Sequence, residues 1–145
     1  MNDKSLSIAF TVEADPDQVF AAINDVRSWW SGEIDGTTDQ LGSTFTYTYE
    51  DMHQSTQLIT DLIPGELVIW HVVEGRIRFV KDETEWTDTV IRFDIIPQGP
   101  HTEVRFTHIG LIPDSECFDS CSNAWSYYVG ASLRNRITRG RENPI

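Results

Sequence analysis

Cysteine, basic residues and long apolar runs are all scarce in this chain. Two cysteines in 145 residues are too few for the disulfide framework of a small secreted domain, and agree with a reducing compartment. Eleven lysines and arginines stand against 23 aspartates and glutamates, giving a formal net charge of −12. So acidic a chain has no basic face to offer, so nucleic acid and anionic membrane are not expected as partners. Four of the basic residues, Arg134, Arg136, Arg139 and Arg141, cluster near the carboxyl end. Complementing a helix dipole is a simpler role for them than binding phosphate. No apolar stretch approaches the ~20 residues that cross a bilayer. Met1-Asn2-Asp3-Lys4-Ser5 lacks the basic-then-apolar order of a secretory signal. A cytoplasmic protein without membrane insertion is therefore expected. Chemical signatures are missing too: there is no nucleophile elbow, no HExxH, no Walker glycine loop and no dinucleotide fingerprint. No cofactor and no catalytic residue is predicted.

What the chain does have is apolar and aromatic surface. Hydrophobic residues make up 39% and aromatic residues 11% of the sequence, enough for one domain spanning residues 1–145 to bury a core unaided. Leu6, Ile8, Phe10 and Val12 alternate with polar or small residues, which is the period of a half-buried strand. Asp15-Pro16-Asp17-Gln18 combines an acidic N-cap, a proline at the first helical position and a glutamine placed to close a capping box. It predicts a helix from Pro16 to about Asn24, burying Val19, Phe20 and Ile23, with a short turn carrying Val26, Trp29 and Trp30 behind it.

Ile34 to Gly42 is polar and turn-rich. Phe45, Tyr47 and Tyr49 then alternate with threonines in a strong strand pattern. Further strands are predicted over Ser55–Leu62, Leu67–Val73, Arg76–Val80, Thr87–Ile96 and Thr102–Ile109. Pro64-Gly65 reads as a type II turn, and Pro97 to Pro100 as the loop of an antiparallel hairpin. The last element is a helix that starts between Pro113 and Asp119 and ends at Gly140, with Trp125, Tyr128, Val129, Ser132, Leu133 and Ile137 on its apolar stripe. Strand, two short helices, about six strands and a long helix imply an α+β domain with its helices on one side of an antiparallel sheet.

Asp15-Pro16 with Val19 and Phe20, Trp29-Trp30, Leu67 with Trp70, the run Thr102, Val104, Phe106, Thr107, His108 and Gly110, and Trp125 with Ser132-Leu133 together resemble the START-like, or SRPBCC, superfamily. Within it the chain is similar to the AHSA-like family, named for the C-terminal domain of the activator of heat-shock protein ATPase. The resemblance covers nearly the whole chain, and includes Glu116-Cys117 with Cys121. It implies a helix-grip fold, like that of the birch pollen allergen, in which a curved antiparallel sheet of six to seven strands wraps a long C-terminal helix. It also implies a cavity for a hydrophobic or amphipathic small molecule between sheet and helix. Family members range over lipid carriers, receptors, cyclases and co-chaperone domains, so the fold names no reaction. Homodimer or chaperone contacts belong to the same range.

Trp30, Phe45, Tyr47, Tyr49, Trp70, Phe93, Phe106, His108, Trp125, Tyr128 and Val129 are the candidate cavity residues. An aromatic set of this kind forms either a pocket wall or a dry core. His108 shares a strand face with Val104 and Phe106, so it points inward, either as a satisfied core histidine or toward a ligand. A cyclase-like reading would have it move protons with Tyr47 or Tyr49. Cys117 and Cys121 share a helix face without the spacing of a zinc knuckle, and His53, His71 and His101 are scattered. Free thiols and no metal site are expected. The turn Asp82-Glu83-Thr84-Glu85 reads as solvated surface, Asp94 as outward-facing, and Gly130 as a helix glycine with a packing or cavity role. An interaction module would be marked by an exposed Trp29 or Trp86.

Overall fold

Alternation of side chains along seven segments produces one seven-stranded sheet. The computed structural model describes residues 5–30, 32–50, 52–77, 81 and 83–142. Its strands are β1 (Leu6–Val12), β2 (Glu33–Gly36), β3 (Thr44–Tyr49), β4 (His53–Ile63), β5 (Leu67–Ile77), β6 (Val90–Gln98) and β7 (His101–Ile109). They lie in the order β1-β7-β6-β5-β4-β3-β2, every neighbouring pair antiparallel. Helix α1 (Pro16–Asn24) and one 3-10 turn (Val26–Ser28) carry the chain from β1 at one edge to β2 at the other. The long terminal helix is built of α2 (Phe118–Tyr127), a wider π turn (Tyr128–Leu133) and α3 (Arg134–Glu142). This is the expected helix-grip architecture.

Local chemistry explains the joints. Asp15 accepts from the Gln18 backbone N–H at 2.9 Å while the Gln18 side chain accepts from the Asp15 N–H at 3.2 Å, so the capping box is complete. Gly65 stands at φ +74 with Glu66 N–H bonded to the Ile63 carbonyl at 2.9 Å, as a type II turn requires. Where Thr56 gives way to Gln57, and Ile59 to Asp61, the β4–β5 ladder slips by one residue. Such bulges bend long strands and increase their twist, which curves the sheet around its helix.

Three predicted elements differ from the structure. Glu33–Gly36 is an edge strand inside the segment expected to be turns. Its register comes from pairing with Thr44–Tyr49's β3, not from an apolar alternation of its own. Arg76 and Ile77 finish β5 instead of opening a new strand; Arg78, Phe79 and Val80 lie outside the described residues. Thr87–Thr89 is a turn, with Asp88 at φ +68, and β6 begins at Val90.

The core fills the space between the sheet's concave face and the helices. Val19, Ile23, Val26, Trp29, Trp70, Phe93, Phe106, Val129, Leu133 and Ile137 are all buried there. Thr102 Oγ1 donates to the Ala14 carbonyl at 2.6 Å, tying β7 to the entrance of α1. Ser132 Oγ donates to the Trp29 carbonyl at 2.6 Å, fastening the terminal helix to the turn that presents Trp30.

Candidate functional site

At one end of the domain, between β3, β4 and α2, lies a pocket of about 280 Å³. Its wall is Trp30, Tyr47, Tyr49, Met52, His53, Trp86, Ser120, Cys121, Ala124, Trp125 and Tyr128. Among the described residues no charged side chain lines it. Five of the predicted cavity residues, Trp30, Tyr47, Tyr49, Trp125 and Tyr128, meet here. The others, Phe45, Trp70, Phe93, Phe106, His108 and Val129, are 0–1% exposed and belong to the packed core beneath.

Ring packing sets the pocket's floor. Trp30 stacks on Tyr47 with centroids 4.1 Å apart and planes within 15°, and lies 5.2 Å from Trp125 and 6.4 Å from Trp70. It therefore plugs the passage from the pocket into the core. Phe45, Phe93 and Phe106 close the space behind it, in edge or tilted contacts of 5.0–5.2 Å with Trp70 and one another.

Trp86, considered from the sequence only as an exposed interaction anchor, was not among the predicted cavity residues, because it sits in a charged loop with no periodicity to interpret. Its place is made by Gly75: a Cβ there would meet the Trp86 Cβ at 2.6 Å, so only glycine leaves room. Thr87 Oγ1 donates to the Gly75 carbonyl at 3.3 Å. Glu85, expected to be solvated surface, instead accepts from the backbone N–H groups of Glu116 at 2.6 Å and Cys117 at 3.0 Å. Loop wall and helix wall are thus joined at the pocket's edge. Trp29 and Trp86 are 2% and 3% exposed, so neither supplies the exposed anchor anticipated for an interaction module.

His108 is a satisfied core histidine. Its Nδ1 accepts from Trp125 Nε1–H at 3.1 Å, so the ring proton sits on Nε2, which donates to Thr89 Oγ1 at 2.8 Å. Thr89 Oγ1 in turn donates to the Trp86 carbonyl at 2.6 Å. Every hydrogen-bonding position of the ring is spent, and burial, with His53 nearby, lowers its pKa to about 3. It has no face on the pocket, so the proton transfer with Tyr47 or Tyr49 considered above loses its base. His53, the histidine that does line the pocket, has its pKa lowered to about 4 by burial and lies 3.3 Å from Ser55 Oγ. At neutral pH both rings are uncharged. Trp86 lies between them, 4.4 Å from His53 and 4.6 Å from His108 in edge-to-face contact.

Cys117 and Cys121 form a disulfide, correcting the expectation of free thiols: one turn of helix brings their Cα atoms to 5.6 Å, within the usual bridging distance. His71 pairs with Asp88 at 3.2 Å and His101 with Glu13 at 3.6 Å. No cluster able to hold a metal ion occurs among the described residues, and no described helix is long and apolar enough to cross a membrane. Buried polar groups without a hydrogen-bond partner include Trp86 Nε1 on the pocket wall and, in the core, the Gln57 amide and Trp70 Nε1. Gln57 is paired in register with Phe45 and Val72, and the Trp70 ring lies 5.0 Å from Phe45.

Residues 13–137 match the family model described as activator of Hsp90 ATPase homolog 1-like protein. The chain belongs to this family. Among solved structures, the AHSA1-type chain is similar to the solution structure of the Aha1 dimer from Colwellia psychrerythraea, with 22% identity, TM-score 0.73, and coverage of 94% of this chain and 98% of that one. A protein from Rhizobium leguminosarum superposes with TM-score 0.72 at 14% identity, covering 95% and 96%. DynU16, a protein of the dynemicin biosynthetic locus, is 16% identical with TM-score 0.66; 99% of this chain covers 49% of that one. At these identities the structural likeness shows the shared fold alone. No curated protein matches the chain.

Proposed function

We propose that this AHSA1-type domain binds a small, uncharged, ring-bearing molecule at the pocket between β3, β4 and α2. The observation that carries this reading is a wall of six aromatic residues with no charged side chain among the described residues. A carboxylate or phosphate entering such a site would lose its hydration without gaining a counter-charge. The volume, about 280 Å³, falls just under the roughly 300–1,000 Å³ common for ligand sites. Size therefore favours a compact molecule of up to three rings over a long acyl chain. Trp86 Nε1–H, buried on a residue of the pocket wall and without a hydrogen-bond partner, supports a ligand that carries an acceptor, since an unsatisfied buried group costs about 1–3 kcal/mol until a partner arrives. A polar substituent on the ligand would supply that partner, enclosing the molecule between sheet and helix.

Native mass spectrometry and solvent extraction of the purified chain would look for a retained molecule, and titration with the neutral fluorophore phenylnaphthylamine would report binding through energy transfer from Trp30, Trp86 and Trp125. Absence of any retained molecule together with no saturable energy transfer would refute the proposal. A second reading, chaperone or self-association, is supported by the family description and the Colwellia dimer. Half-exposed Tyr49, Met52 and Tyr127 are the apolar side chains such a contact would use. An unchanged Hsp90 ATPase rate on adding the chain, with monomeric sedimentation, would exclude it.

A further inference from the structure

We propose that the Cys117–Cys121 bridge is a thiol–disulfide exchange site entered through the aromatic pocket, and that occupancy of the pocket and the redox state of the pair control each other. Three observations carry this. The bridge joins residues four apart on one helical turn, and closing so short a loop removes little freedom from the unfolded chain. Stapling the fold is therefore a poor reason for it. Cys117 is 0% exposed, whereas Cys121 is 5% exposed and lies on the pocket wall, so an attacking thiolate has one route and one target. Finally, Glu85 holds the backbone N–H groups of Glu116 and Cys117 at 2.6 and 3.0 Å. That clasp needs no sulfur and keeps the start of α2 in place in either redox state.

The exchange balances with a dithiol as co-reactant. One thiolate of the dithiol attacks Cys121 Sγ, the bond to Cys117 breaks, and Cys117 leaves as a thiolate that takes a proton. The second thiol of the reductant then displaces Cys121, which is released as a thiol after protonation, and the reductant becomes a disulfide. Two electrons pass to the cysteine pair. Once reduced, the two sulfurs must separate to van der Waals contact, roughly 3.5–4 Å. Cys117 is enclosed by the core, so Cys121 Sγ moves toward the pocket, beside Ala124 and Trp125. A ligand seated there resists that movement and blocks the reductant; by reciprocity, reduction weakens the ligand.

The test uses the full chain purified in air. Alkylation in guanidinium followed by mass measurement should find no free thiol before treatment with dithiothreitol and two after it. Ala124→Trp, which fills the pocket from the helix side, should slow reduction of the folded chain about tenfold or more, because exchange follows access to the sulfur. Ser126→Trp, on the exposed face of α2, should leave the rate unchanged. Should Ala124→Trp fail to fold, saturating phenylnaphthylamine replaces it as the plug. Two thiols that remain free after exposure to oxidised dithiothreitol would overturn the proposal, as would equal reduction rates with and without the plug. Protection by Ala124→Trp without any binding of phenylnaphthylamine would sustain the exchange site while removing support from the ligand reading on which the reciprocal control rests.

Discussion

Lowering the pH from 7.5 to 5 should destabilise this domain steeply, and replacing His108 should remove a defined share of that loss. Folded His108 and His53 hold pKa values of about 3 and about 4 because burial disfavours their charged forms, whereas an unfolded histidine titrates near 6.5. Below that value the unfolded chain binds protons the folded one refuses. Stability is therefore full above about pH 7, falls as the pH drops through 6.5, and stops falling only below the folded values. At pH 5 the deficit depends almost entirely on the unfolded titration: about 1.5 pH units at 1.36 kcal/mol each, or about 2 kcal/mol per histidine. Together the pair should take away about 4 kcal/mol from a total stability of order 5–15 kcal/mol.

Urea unfolding followed by tryptophan fluorescence would measure it. With a slope near 2 kcal/mol per molar, the midpoint should fall by about 2 M between pH 7.5 and 5. His108→Gln will be less stable at pH 7.5, since Trp125 Nε1–H or Thr89 Oγ1 loses its partner. The informative quantity is the difference between the two pH values, which should shrink by about 2 kcal/mol relative to the parent chain. An undiminished pH dependence in His108→Gln would refute the assignment of His108 as a neutral, sealed ring, and would reopen its use as a proton carrier.

Gly75→Ala should cost about 1–3 kcal/mol by overpacking, because the new methyl meets the Trp86 Cβ at 2.6 Å; thermal unfolding would show the loss, and a displaced Trp86 should lower phenylnaphthylamine energy transfer. Gly130→Ala should raise stability by up to ~1 kcal/mol through helix propensity alone, since a Cβ at Gly130 meets nothing within 4 Å; a loss of stability would restore the packing role first expected of it. Asp15→Ala removes the acceptor for the Gln18 N–H and should lower the denaturation free energy by about 1 kcal/mol.

The sheet was legible where one face is apolar and the other wet. Phe45 and Tyr47 against their threonines, or Val104 and Phe106 against Glu103 and Arg105, write the strand period into the sequence, and Asp15-Pro16 marks the helix start. Glu33–Gly36 carries no such pattern, because an edge strand can be recruited by its neighbour's unpaired backbone groups. The candidate site was half legible for a related reason. Alternation tells which side chains point inward, but whether the interior is hollow depends on what other segments insert. Trp30, arriving from beyond α1, turns Phe45, Trp70, Phe93 and Phe106 into core. Trp86 and His53 sit at loop and strand ends, where only the cavity left opposite by Gly75 discloses their position, and glycine's meaning there appears in three dimensions alone.

The π turn at Tyr128–Leu133 acts as a phase corrector for the terminal helix. Cys121, Trp125, Val129, Leu133 and Ile137 are all buried and recur at every fourth residue. In unbroken α-helix each such step advances about 40° around the axis, so four steps would swing the stripe by about 160°, nearly onto the far side. One wider turn, its hydrogen bonds reaching a residue further along the chain, winds that drift back midway. The two halves of the helix can then face the sheet independently, α2 toward the pocket and α3 toward β1 and α1. Wound as regular α-helix with every residue kept, the same segment would rotate Leu133 and Ile137 by about 100° relative to Trp125, uncoupling the grip of the helix from the wall it gives the pocket.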